Sequence, residues 1–130
     1  MIDVTAAILI KDGRVLIAQR KPGDKQPGKW EFPGGKIEAA ESARECLKRE
    51  IYEEFSIEIR VGKFLGENVY HYRHASIRLL VYLAAWQGGE LALKDHADYA
   101  WVKYDRLDEF DFAPADLPFV RMLVSGEIQI

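Results

Sequence analysis

The chain has 130 residues, of which 48% are apolar, 30% charged and 12% aromatic, and its net charge at neutral pH is −3. That length suits one domain spanning residues 1–130 with a core of its own, and that balance excludes intrinsic disorder, collagen-like repeats and coiled coil. The acidic charge argues against a nucleic-acid polymer as partner, and the longest apolar run, Leu79 to Trp86, is too short to span a membrane.

The N-terminus, Met1-Ile2-Asp3-Val4, lacks the basic-then-apolar pattern of a secretory signal. One cysteine, Cys46, makes no internal disulfide, so a cytoplasmic protein is expected. Residues 2–20 read as a hairpin turning at Asp12-Gly13 between two apolar runs. The unbroken run Ala6 to Ile10 predicts a strand covered on both faces, with helices flanking the sheet. Residues 21–29 read as a loop, Trp30-Glu31-Phe32 as a short extended piece, and Pro33-Gly34-Gly35 as a sharp turn.

A helix is predicted from Ser42 to Phe55, opened by a capping box between Ser42 and Glu45. With Ala43 at the origin of a wheel of about 100° per residue, Leu47 falls near 40°, Ile51 near 80° and Cys46 near 300°, which marks the buried arc. Residues 57–61, 68–73 and 76–86 read as strands, 87–90 as a turn, 92–98 as an exposed loop and 100–102 as a further strand. Leu107 to Asp111 reads as a solvated loop or helical turn. A C-terminal helix begins with Asp116 as N-cap and Pro118 in its first turn.

The helix from 42 to 55 breaks two local rules at its end. Glu50, Glu53 and Glu54 stand at i, i+3 and i+4, where like charges are neighbours and repel. They also crowd the negative end of the helix dipole. Glu50, near 340°, and Glu54, near 20°, lie inside the buried arc. Carboxylates there are costly unless a cation sits between them, and an all-oxygen donor set favours Mg²⁺ or Mn²⁺.

These residues also carry a resemblance. Gly35, Glu41 and the run Arg49-Glu50-Ile51-Tyr52-Glu53-Glu54-Phe55-Ser56-Ile57 follow the pattern G-x5-E-x7-R-E-U-x-E-E-x-G-U, in which U is bulky and apolar. The chain resembles the Nudix hydrolases at every position of that box but one, since Ser56 stands where the family has glycine. Ala18-Gln19-Arg20, the segment Trp30 to Lys36, and Phe112 to Asp116 extend the resemblance toward the MutT-type branch, which includes the 8-oxo-dGTP and CTP pyrophosphohydrolases.

The resemblance implies an α/β fold, a mixed β-sheet sandwiched between helices. It implies hydrolysis of a nucleoside triphosphate to the monophosphate and pyrophosphate, with Mg²⁺ as cofactor and Mn²⁺ as substitute. Glu50 matches a position that ligates metal and activates water. Glu53, Glu54 and the carbonyl of Gly34 match further ligands, and Asp95 falls where the family has a late acidic residue, usually Glu. Arg49 matches a position that orients the glutamates, with Glu41 as its partner. Arg20 matches a phosphate contact and Asp116 a polar residue that meets the base, while Glu31, Phe32 and Gly35 fall with the substrate. Trp30, Phe32, Tyr70, Tyr72 and Phe112 are candidates to stack on the base, although core packing explains each as well. A protonated Asp116 would also donate to the base, if burial raises its pKa. Hydrolysis of ADP-ribose or dinucleoside polyphosphates, or a non-catalytic nucleotide-binding role, stays open, as does a monomeric or homodimeric state.

Overall fold

The computed structural model describes residues 1–128. Strands β1 (Ile2–Lys11) and β2 (Arg14–Gln19) form the expected hairpin. Asp12 and Gly13 both take positive φ, 52° and 74°, as a two-residue turn matched to strand twist requires. The remaining elements are β3 (Trp30–Glu31), β4 (Gly34–Lys36), α1 (Ala43–Phe55), β5 (Ile57–His71), β6 (Ser76–Gly89), β7 (Asp98–Lys103) and α2 (Leu117–Val124). Two 3-10 helices, Tyr104–Glu109 and Pro114–Asp116, precede α2.

All seven strands form one sheet, ordered β3-β2-β1-β6-β5, with β4 also paired to β1 and β7 to β2. β1 and β6 run parallel over Ile2↔Ile77 to Ile10↔Ala85, and every other pairing is antiparallel. The run Ala6 to Leu9 is buried on both faces, as its lack of alternation predicts. Ala7, Leu9, Leu16 and Ala18 pack against Leu47, Ile51 and Phe55 of α1. Ala6, Ile8, Val15 and Ile17 face the other way, toward Phe119, Val120 and Leu123 of α2. The expected α-β-α sandwich is therefore present.

Three expectations need correction. The strands expected at 57–61 and 68–73 are one strand, β5, whose register against β6 shifts three times between Glu58 and Gly66. Such bulges absorb the irregular stretch Gly62 to Glu67 without ending the pairing. The turn expected at 87–90 does not form, since Gly88 and Gly89 continue β6 opposite Glu58 and Ile57. Pro33-Gly34-Gly35 is likewise not a turn, because Gly34 to Lys36 pair with Val4 to Ala6 of β1.

Helix α1 follows its sequence signals. Ser42 and Glu45 close both halves of the capping box, and Cys46, Leu47, Ile51 and Phe55 are the buried face. At its other end Ser56 has φ 59° and ψ 24°, left-handed, and its N–H donates to the Tyr52 carbonyl at 2.9 Å. A non-glycine residue there carries roughly 1–2 kcal/mol of steric cost, against about 0.4–1 kcal/mol of unfolded-state entropy that glycine would add. Ser56→Gly is therefore expected to be neutral or to raise Tm by a few degrees with activity intact; a clear drop in Tm would show that the serine hydroxyl contributes more than its backbone costs.

Candidate active site

Arg49 organises the helix carboxylates. Its guanidinium donates to both oxygens of Glu41 at 2.9 and 2.6 Å, to Glu50 Oε1 at 2.9 Å, to Glu53 Oε2 at 3.2 Å and to the Lys36 carbonyl at 3.2 Å. One planar fork thus ties α1 to β4 and to the segment before the helix. The bonds from Arg49, with the backbone N–H of Glu38, hold the Glu41 carboxyl down at about 2. Burial pushes the Glu50 carboxyl the other way, above the ordinary range, and Arg49 only partly offsets it. Glu50 and Glu54 are largely buried, as the wheel places them, whereas Glu53 is half exposed.

Glu54 is held differently. Loop 90–97 caps the end of α1, with the Ala92 N–H donating to the Phe55 carbonyl at 2.9 Å and the Lys94 N–H to the Glu54 carbonyl at 3.1 Å. That docking stacks the His96 ring on Phe55, centroids 5.4 Å apart, and brings His96 Nδ1 to 3.9 Å from Glu54 Oε2. Both of these atoms are buried and have no hydrogen-bond partner among the described residues. His96 Nε2 lies 2.8 Å from Glu31 Oε2, and Glu31 Oε1 accepts from Arg20 at 2.9 Å. Arg20 in turn pairs with Asp24 at 3.1 Å and donates to the Lys25 carbonyl. Burial raises the Glu54 carboxyl above its usual range. His96 sits in a stretch that reads as exposed loop, and only the docking of that loop on α1 reveals it. Asp95, beside it, turns outward to Lys21 at 2.6 Å and is half exposed.

A cavity of about 410 Å³ opens beside these residues. Arg20, Asp24, Lys25, Tyr72 and His74 line it, and so does Gly35, which also abuts Glu50 of α1. Phe32 and Asp116 also line it. Trp30, Tyr70 and Phe112 do not; they pack around Phe110, Tyr72 and Phe32.

Asp116 stands at the N-cap position just before α2, but its side chain makes no cap bond, contrary to expectation. Its Oδ2 instead accepts from the Phe32 N–H at 2.9 Å, and the residue is 6% exposed. Burial, reinforced by the charge of Glu31, pushes its carboxyl up to about 8. Burial therefore favours the protonated form of Asp116.

The two glycines have different work, and neither takes a positive φ. A methyl group at Gly34 would overlap the Thr5 carbonyl of β1, and one at Gly35 would overlap the Glu50 carboxyl. Gly34→Ala is expected to cost roughly 1–3 kcal/mol of stability or more, because backbone must move. Gly35→Ala should cost far less, since a flexible side chain yields, yet displacing Glu50 should lower kcat on the order of 100-fold. Thermal melts and initial rates on the two variants check this split. Equal losses of stability would show that Glu50 is not free to move.

The residues present suit a divalent cation. Glu54 offers a buried oxygen without a hydrogen-bond partner, Gly35 lets the Glu50 carboxylate lie directly against the backbone, and the donors are oxygens. Among the described residues no three His, Cys, Asp or Glu side chains converge as they stand, since Glu50 and Glu53 turn to Arg49 and Glu54 to His96.

The family model of the NUDIX domain matches residues 1–123. The chain is 38% identical to the CTP pyrophosphohydrolase of Escherichia coli K12, covering 96% of this chain and 93% of that one. It is 34% identical to the putative 8-oxo-dGTP diphosphatase 2 of Mycobacterium tuberculosis H37Rv, covering 87% and 81%. The solution structure of the E. coli ORF135 protein superposes with a TM-score of 0.85 at 34% identity, covering 98% and 91%. The chain belongs to the Nudix family and is a Nudix hydrolase. Hydrolases of this family use divalent metal ions. No helix among the described residues is long and apolar enough to cross a membrane.

Proposed function

We propose that this hydrolase cleaves nucleoside triphosphates to the monophosphate and pyrophosphate, with Mg²⁺ as its ion and Mn²⁺ as substitute. The substrates are CTP or dCTP, or an oxidised nucleotide such as 8-oxo-dGTP, whose removal protects DNA synthesis. One observation carries this reading: Gly35 lies directly against the Glu50 carboxylate and also lines the cavity that holds the buried Asp116. That cavity accepts a base, and its Arg20, Lys25 and Lys36 suit a phosphate chain. The similarity to a CTP pyrophosphohydrolase and to a putative 8-oxo-dGTP diphosphatase supports the same substrate classes.

Glu50, Glu53, Glu54 and the Gly34 carbonyl would hold the metal, with Asp95 in a supporting place. A divalent ion there neutralises phosphate charge and lowers the pKa of water. Arg49 fixes Glu50 and Glu53, and Glu50, its carboxyl raised by burial, would take a proton from the attacking water. Arg20 touches phosphate, braced by Glu31, and Asp116 meets the base edge. Phe32 contributes its N–H to Asp116 rather than an open ring face, since it is 3% exposed and packs on Phe112. Pyrophosphate release from a panel of CTP, dCTP, 8-oxo-dGTP, dGTP, ADP-ribose and dinucleoside tetraphosphate tests the reading. Turnover of the last two alone, without pyrophosphate, would overturn it.

A further inference from the structure

Tyr72 has a hydroxyl whose proton is unaccounted for. The phenol oxygen accepts from the Ala115 N–H at 2.9 Å, and Asn68 Nδ2 donates to the Ala115 carbonyl at 2.9 Å. Both ends of one residue are thereby fixed, one to β5 and one to the residue that follows it. No acceptor for the phenol proton lies within hydrogen-bond distance among the described residues. A Tyr hydroxyl is both donor and acceptor, so with the Ala115 N–H pointing at the oxygen the proton must point elsewhere. Tyr72 lines the cavity, which is therefore a direction open to it.

The ring is not free to stack on a base. His74 lies over it, centroids 5.3 Å apart and nearly parallel, and Tyr70 leans against it at 4.6 Å. What Tyr72 offers a ligand is its hydroxyl end. The next residue after Ala115 is Asp116, whose Oδ2 is taken by the Phe32 N–H and which has no cation of its own, because Arg20 is paired with Glu31 and Asp24. The phenol is thus held at Ala115, the carboxyl belongs to the next residue, and both line one cavity.

We propose that Tyr72 is a specificity-determining residue, donating its phenol proton to the base beside the Asp116 carboxyl, so that the cavity selects bases with two adjacent acceptors. Cytosine, through N3 and O2, and guanine, through N7 and O6, meet that demand. Adenine places an amino donor beside N7, uracil a protonated N3 beside O2, and 8-oxoguanine a protonated N7 beside O6. The inference rests on the nucleotide reading above and narrows it.

Binding of nucleoside monophosphates, followed by NMR titration, tests the assignment without requiring turnover. The wild-type protein should bind CMP or GMP about tenfold or more tightly than UMP and AMP. Tyr72→Phe should weaken the favoured nucleotide about tenfold, the worth of one neutral hydrogen bond. For cytosine the acceptors are then removed one at a time with 3-deaza-CMP and 2-thio-CMP. For guanine the pair is 7-deaza-GMP and 2-aminopurine monophosphate. The penalty of Tyr72→Phe should collapse on one analogue of the pair. A penalty that is the same for every base and analogue would overturn the proposal, leaving Tyr72 as a support for Ala115 alone. So would a wild-type protein that binds all four bases equally, or none. Failure of pyrophosphate release with base selection intact would instead fault the hydrolase reading and leave Tyr72 standing.

Discussion

Glu50→Gln and Glu54→Gln are each expected to lower kcat by on the order of 10²–10³-fold, the scale for losing one group aimed at developing charge. Without metal, neither variant should lose stability. Glu50→Gln keeps an oxygen for Arg49 to bond, and removes a carboxyl that burial already raises. Glu54→Gln replaces a buried carboxylate oxygen that has no partner. Only His96 Nδ1 at 3.9 Å, beyond hydrogen-bond reach, offsets that buried charge, so the variant's Tm in chelator should equal or exceed that of the wild type. Added Mg²⁺ or Mn²⁺ should raise the wild-type Tm in proportion to the logarithm of its concentration, as any ligand of the folded state does. The same addition should leave the Gln variants nearly unmoved. Near-normal turnover in both variants would remove these glutamates from the site; a metal-dependent Tm that survives both would move the metal elsewhere.

Asp116 should make stability fall as pH rises from about 4 to about 8. The unfolded chain ionises an ordinary aspartate near 3.8, while the folded protein holds the proton until about 8. Between those values the unfolded state binds fewer protons than the native one, so the slope of unfolding free energy with pH is negative. Its limit for one proton is about 1.4 kcal/mol per pH unit, several degrees of Tm for a chain of this size. Above the upper value this contribution levels off. Asp116→Asn keeps an acceptor for the Phe32 N–H and cannot ionise, so its melts should lose this dependence and end higher than wild type at pH 8. Glu31 and Arg20 are the charged groups nearest this effect, and Arg20 opposes it only partly. A wild-type Tm that is flat across the window, or one that Asp116→Asn does not alter, would show that Asp116 is ionised in the native state. The same titration should weaken binding of an acceptor-bearing base above pH 8, because the acid then has no proton to donate.

Much of this was legible from one dimension. Asp12-Gly13 requires two positive φ angles and obtains them. Ser42 and Glu45 form their box because the partners are three residues apart. The same periodicity that buries Leu47 and Ile51 turns Glu50 and Glu54 inward, and the spacing of Glu41 to Arg49 returns as a bidentate pair. Ser56 in the left-handed region follows from being the first residue after the helix. All of these act within about two helical turns, where the chain itself fixes the distance.

What the tertiary structure decided lies at long separation. His96 meets Glu31 across 65 residues, and Asp116 meets the Phe32 N–H across 84. Neither pairing leaves a local mark, because it depends on sheet register and on where a loop docks. Asp116 illustrates the competition. Its sequence position suits an N-cap, but burial beside β3 offers its carboxyl an otherwise unpaired N–H, and that bond wins over the local one. Gly34 and Gly35 read as a turn because glycine usually buys freedom of φ; here the need was for space, between Thr5 on one side and Glu50 on the other. Sequence by itself therefore determined the helix, the hairpin and the carboxylates. Which groups face them was left to packing, since only the closed sheet brings distant side chains within hydrogen-bond reach.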